Sequence, residues 1–214
     1  MYPDVINNFG NEYEILKNLV SSYLYKDVLS LAGIRKPEIL EKIVRALALQ
    51  VGNEVSYNEI AQLVGVDKNT VNNYIDLLEK AFVIFRLNSF SKNLRNEIKL
   101  NRKIYFYDNG VRNMLIGNFN SLEFRQDKGA LWENFLVSER MKLLSYSQSV
   151  AKPYFWRTTT QQEIDYIETN ADDVNAFEFK WANSKKVKLP KSFQEAYNPS
   201  FLVLDKSNFR EFLK

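Results

Sequence analysis

The sequence predicts a mixed α/β fold in two parts: a helix-turn-helix unit carrying two strands, then a mixed sheet flanked by helices. Three observations carry that expectation. Ser56-Tyr57-Asn58-Glu59 has the spacing of a capping box, and the short helix it opens runs to Gly65. After the turn Val66-Asp67-Lys68, a second helix from about residue 69 to 80 has the apolar stripe Val71, Tyr74, Ile75 and Leu78. Residues 82–87 and 103–108 follow as strands, and helix, glycine turn, helix and two strands spell a winged helix-turn-helix. Beyond residue 150 short β-type runs alternate with helical ones, the pattern of a sheet covered by helices.

The elements can be taken in order. Residues 1–34 read as a helical junction with one stripe, Tyr13, Leu16, Leu19, Val20, Tyr23 and Leu24, which needs cover either on the rest of the chain or by self-association as a homodimer. Residues 35–110 form the winged helix-turn-helix domain, entered through Pro37 at the start of a helix that carries Leu40, Ile43, Val44 and Leu47. Residues 111–214 form the second domain. A short helix at 111–116 ends at Gly117, residues 118–128 are polar and loop-like, and a longer helix at 130–144 carries Leu131, Phe135, Leu136 and Leu143 with Glu133 close to that stripe. Residues 153–158 are expected to open the sheet, residues 200–205 to close it, and a helix around 193–197 to lie between.

Composition narrows the chemistry. With 214 residues, 45% hydrophobic and 26% charged, the chain has the balance of a soluble globular protein. It has no basic and apolar leader at its start and no apolar run long enough to span a membrane, and it is expected in the cytoplasm without a membrane partner. No cysteine is present, so thiolate zinc sites and cysteine nucleophiles are excluded. The lack of histidine removes Ser-His-Asp catalysis and the commonest general base. Hydrolytic chemistry here must rest on carboxylates, a lysine and a hard cation such as Mg²⁺ or Mn²⁺.

One hairpin supplies such a set. Residues 163–168 and 176–181 alternate with period two around the turn Asn170-Ala171-Asp172-Asp173. A turn centred between Ala171 and Asp172 places Asp165 opposite Glu178 and Glu163 opposite Lys180, with Lys180 two residues beyond Glu178 on the same face. Opposed carboxylates repel unless one is protonated or a cation sits between them. The plainer alternative is an exposed polar face on which Glu163 pairs with Lys180.

Asp165, Glu178-Phe179-Lys180 and the upstream Glu133 together resemble the PD-(D/E)xK, restriction-endonuclease-like phosphodiesterases. The phrases at 103–110, 129–135, 154–157 and 177–180 also resemble, in order, the C-terminal region of prokaryotic AAA-type ATPases, in which a winged helix and a nuclease-like domain follow the ATPase module. The proline of the family name has no counterpart beside Asp165. The resemblance implies Asp165, Glu178 and Glu133 as metal ligands, and Lys180 as the catalytic group serving a metal-bound water. No G-x-x-x-x-G-K-[ST] phosphate loop occurs, so this chain has no ATP site and reads as an excised piece or a shortened product whose ATPase module would be a partner.

The net charge of +3 is mild, but basic residues cluster at 86–103 (Arg86, Lys92, Arg95, Lys99, Arg102, Lys103) and again at Lys185, Lys186, Lys188 and Lys191. Nucleic acid, in particular DNA, is the expected partner. Lys68, Asn69, Thr70, Asn72 and Asn73 would face a major groove, and Lys92, Arg95, Lys99 and Lys103 would meet phosphates. Two functions remain open: a Mg²⁺-dependent nuclease fed by the winged helix, or a non-catalytic DNA- or protein-binding module with a vestigial site.

Overall fold

Apolar periodicity and caps explain the first helices. A computed structural model describes residues 2–22, 36–91, 102–182 and 187–214. The chain divides into two compact units, Met1–Arg86 with Ile104–Arg125, and Leu87–Lys103 with Gln126–Lys214. The first begins with α1 (Pro3–Asn7), α2 (Glu12–Leu19) and α3 (Pro37–Leu49). α3 buries Leu40, Ile43, Val44 and Leu47 completely, at spacings of three and four that make one face. α4 (Tyr57–Val64) starts where Ser56 Oγ accepts from the Glu59 amide at 3.3 Å and stops at Gly65, whose φ of 77° favours glycine. α5 (Lys68–Lys80) is capped by Asp67, which accepts from the Thr70 amide at 2.9 Å and its hydroxyl at 2.6 Å, and buries Val71, Ile75 and Leu78. Each such side chain is worth about 1.5–3 kcal/mol relative to exposure.

Two strands follow, β1 (Ile84–Ser89) and β2 (Arg102–Phe106), and within this unit Phe85 stacks on Tyr105 with ring centres 5.7 Å apart. Asp108 then caps α6 (Asn109–Ile116), accepting from the Gly110 amide at 2.7 Å. Glycine suits position 110, because a Cβ there would lie 3.0 Å from the Leu16 side chain and 2.8 Å from Asp108 Oδ1 and would push the capping carboxylate aside. That contact bears on the N-terminal stripe. Leu16 and Val20 are buried inside the unit, Leu19 is half-buried, and Tyr13 stays exposed with its ring 5.3 Å from Phe119. Among the described members of the stripe, Leu16 and Val20 are thus covered by the chain itself, while Tyr23 and Leu24 lie outside the described residues.

The second unit contains α7 (Lys128–Tyr146), β3 (Lys152–Arg157), β4 (Glu163–Asn170), β5 (Asp173–Phe179), α8 (Lys191–Tyr197), β6 (Ser200–Leu204) and α9 (Phe209–Phe212). The six strands make one mixed sheet in the order β2-β1-β3-β4-β5-β6. β3 is not the first strand, as the sequence led us to expect: Asn88 and Ser89 of β1 pair in parallel with Tyr154 and Phe155. The alternation of 82–87 and 103–108 reveals strands but not the sheet they join, since pairing partners lie far along the chain. Tyr154, Trp156, Ile164, Ile167, Ala176 and Phe193 form a core cluster, with Phe90 and Tyr197 packed on it.

The hairpin has the expected register, Tyr166 facing Phe177 and Asn170 facing Asp173 across the two-residue turn at Ala171, whose φ is 51°. On its other side β4 is irregular. Tyr154 pairs with Ile167 and Trp156 with Ile164, so Asp165 and Tyr166 together oppose Phe155 alone. Ile164 and Ile167 consequently share one core cluster although three residues apart, which strict period two forbids.

Candidate active site

The site lies within the second unit, and its first member is Asp165, beside that bulge. Its Oδ2 accepts from the Phe179 amide at 2.8 Å. Burial, reinforced by Glu133 and then Glu178, pushes its carboxyl up to about 8, against the opposing pulls of Lys103 and the Phe179 amide. Glu178, on β5, is bonded to Lys180 Nζ at 2.6 Å, and the Lys180 amide donates to the Leu204 carbonyl at 2.9 Å, continuing the parallel ladder with β6. Burial alone would lower the Lys180 ammonium, but its bond to Glu178 and the charges of Glu178, Asp165 and Glu133 outweigh this and raise it.

Two assignments from sequence are corrected here. Lys103, expected to contact phosphate, is 1% exposed; its Nζ lies 2.6 Å from Glu163 Oε1 and 3.0 Å from Glu133 Oε1, and 5.4 Å from the centre of the Phe155 ring. A side chain so buried and so engaged cannot reach a surface ligand. Burial opposes its charge, yet Glu133, Glu163 and Asp165 raise it well above the ordinary lysine value. Glu163 accordingly pairs with Lys103, with Arg157 Nε 3.8 Å from its other oxygen, and not with Lys180. The second correction concerns ligand number. Among the described residues no three acidic side chains are grouped so as to hold a metal ion, and Glu133 is bonded to Lys103.

Asp165 and Glu178 nevertheless fit a hard divalent cation as a pair. Both present oxygen donors, Asp165 is half-buried among like charges that a cation would relieve, and Mg²⁺ is commonly held by one or two carboxylates with water completing its shell. Around them stand four acids (Glu133, Glu163, Asp165, Glu178) against three bases (Lys103, Arg157, Lys180).

The helix expected to read DNA is partly committed elsewhere. Lys68, Asn69 and Asn73 are exposed on α5, but Thr70 is bonded to Asp67, and Asn72 donates to Asp76 at 3.1 Å. Arg86, at one end of the basic cluster, is bonded to Asp76 and lies 3.0 Å from Glu79. Lys92, Arg95, Lys99, Lys185 and Lys186 lie outside the described residues; Lys188 and Lys191 are exposed. Sequence reasoning missed Lys103 and Glu163 as parts of the site. The signal available was the alternation that puts Glu163 and Asp165 two apart on one strand.

Comparison with known proteins bears on both halves. Residues 1–122, more than half of the chain, match the family described as Domain of unknown function (DUF8612). The chain belongs to that family. Residues 128–211 match Domain of unknown function (DUF4143), which is commonly found in AAA-ATPase-associated proteins. The interval between the two matches contains the Arg125/Gln126 boundary of the compact units. An uncharacterized protein of Haemophilus influenzae is 28% identical over 169 residues, 75% of this chain and 38% of its own length. An uncharacterized protein of Methanocaldococcus jannaschii is 28% identical over 145 residues, 64% of this chain and 31% of its own length. The chain thus spans about a third of the curated relatives it matches. No solved structure matches it. No helix among the described residues is long and apolar enough to cross a membrane.

Proposed function

We propose that the second unit is a divalent-cation-dependent phosphodiesterase of the PD-(D/E)xK type acting on nucleic acid, and that the first is a winged helix that engages it. The observation that carries this reading is the half-buried Asp165, next to Glu178 and its bonded Lys180, in a cluster with more acid than base. Asp165 and Glu178 would hold one Mg²⁺ or Mn²⁺, with Glu133 adding to the negative field. The ion, when bound, supplies positive charge for the phosphodiester oxygens and a water of lowered pKa. Lys180, half-exposed, is free to swing its ammonium from Glu178 toward an incoming phosphate, where it orients the attacking water and offsets the negative charge on the phosphoryl oxygens in the transition state. Lys68, Asn69 and Asn73, all exposed, are the contacts proposed for DNA on α5. An AAA-type ATPase module is the proposed partner, supported by the usual setting of the DUF4143 region and by the greater length of the relatives.

The test is cleavage of single- and double-stranded DNA and RNA with Mg²⁺ or Mn²⁺. Lys180→Ala should abolish cleavage while keeping cation affinity, and Asp165→Asn should lose both. A folded chain that neither cleaves nor binds the ion overturns the reading. The engagement of Glu133 by Lys103 favours a second one, a binding module with a vestigial site. That reading predicts nucleic-acid affinity falling with salt, by about 0.9 in log K per log unit for each neutralised phosphate, with no cleavage.

A further inference from the structure

Lys103 is the most deeply buried cation of the site, and its geometry is unlike that of a structural ion pair. The same unit contains such a pair, in which Arg140 donates from Nε and Nη2 to both oxygens of Glu168 at 2.6 and 2.8 Å. Arginine suits that task because its planar fork matches one carboxylate. Lys103 is a compact point charge instead, and it touches one oxygen of each of two carboxylates that come from different elements, Glu133 on α7 and Glu163 on β4. One small cation shared by single oxygens of two acids is the arrangement a metal ion would make. Lys103 itself is 1% exposed, and its ammonium lies 5.4 Å from the centre of the Phe155 ring. The two carboxylates it binds also neighbour Asp165, Glu133 in charge and Glu163 two residues along the strand. In two-metal phosphodiesterases the second ion stands about 3.5–4 Å from the first and is held by further carboxylates of the same cluster.

We propose that Lys103 is the built-in second cation of this site: its ammonium occupies the place between Glu133 and Glu163 that a further divalent ion would take, and it restricts the site to one exchangeable ion. The count of one rests on the cation-binding reading of Asp165 and Glu178; the substitution of lysine for an ion does not. Lys103 is a positioning residue. It holds Glu133 and Glu163 away from the exchangeable ion, and it supplies fixed charge that no chelator removes.

The experiment is a calorimetric titration of the full chain with Mn²⁺ alone. Lys103→Met should bind one ion more than the unsubstituted chain, Lys103→Arg should leave the number unchanged, and adding Glu133→Gln to Lys103→Met should remove the extra ion. A folded Lys103→Met with an unchanged number of ions overturns the proposal, as does an extra ion that survives Glu133→Gln. An unsubstituted chain that binds no Mn²⁺ defeats the reading of Asp165 and Glu178, while the difference of one stays measurable. If Lys103→Met is unfolded without metal, its thermal melt decides: refolding by Mn²⁺, but not by K⁺ at equal ionic strength, is expected, and no refolding by either overturns the proposal.

Discussion

Two buried ionic groups stand on the same pair of elements, α7 and β4, and they are built on opposite principles. In one, Glu168 receives both arms of Arg140 and the Tyr166 hydroxyl at 2.9 Å, while Arg140 Nη1 donates to the Phe212 carbonyl at 2.7 Å and its guanidinium lies 4.8 Å from the Phe212 ring. Charge is matched one to one, and every bond runs to a fixed partner. The other, around Asp165, has an acid in excess and settles it by holding Asp165 protonated into the neutral range. A matched pair closes on itself and serves the fold. An unmatched one carries a cost in the fold, which under the proposed function a bound cation would relieve.

Breaking the matched group should have the largest effect. Arg140→Met leaves Glu168 buried without its counter-charge and should cost about 3–5 kcal/mol in urea denaturation. Arg140→Met with Glu168→Leu should recover most of that loss, because no charge is then left alone.

The unmatched group should respond in the other direction. Asp165 has its carboxyl raised in the folded chain, so the folded state holds a proton that the unfolded state has given up between about pH 4 and pH 8. Stability without added metal should therefore fall as pH rises through that window. Asp165→Asn should flatten the profile and stabilise the chain at pH 8; a profile unchanged by the substitution would show that the acid excess is not felt there.

A cation should sharpen the contrast further. Mg²⁺ at ten times its dissociation constant should raise stability by about 1.4 kcal/mol, as thermal melts would register, and this gain should vanish in Asp165→Asn but persist in Glu168→Gln. The smallest effect belongs to Lys180→Ala. Lys180 is partly exposed beside Glu178, and its removal should cost at most about 1 kcal/mol in denaturation while abolishing the proposed cleavage. Glu163→Ala should not mimic it, because the partner of Glu163 is the buried Lys103.

Local rules made much of this legible. The serine cap at Ser56, the glycine stop at 65 and the hairpin register all follow from neighbours a few residues apart, and the structure repeats them. Lys103 was misread for the opposite reason. Its surroundings in sequence are basic and polar, and the carboxylates that bury it arrive 30 and 60 residues later, from α7 and β4. Arg86 was misread as part of a basic face because its partners, Asp76 and Glu79, lie on a helix whose alignment with β1 only the fold decides. The bulge at Asp165 was hidden too: Glu163 to Glu168 alternates evenly, and nothing in that pattern marks which residue goes unpaired against β3.

That extra residue makes strand length a functional variable. Deleting one residue at Asp165 or Tyr166 would let β4 pair with β3 without interruption, and the sheet and its turn at Ala171 would survive. Ile164 and Ile167 would then stand two residues apart and still share the core face, so the core would hold while the irregularity beside Asp165 would be gone. Among related chains, those whose β4 is shorter by one could therefore keep the composition of the hairpin and its fold while losing the geometry around Asp165, a loss visible in the count of residues between Trp156 and Ala171 before any substitution is seen.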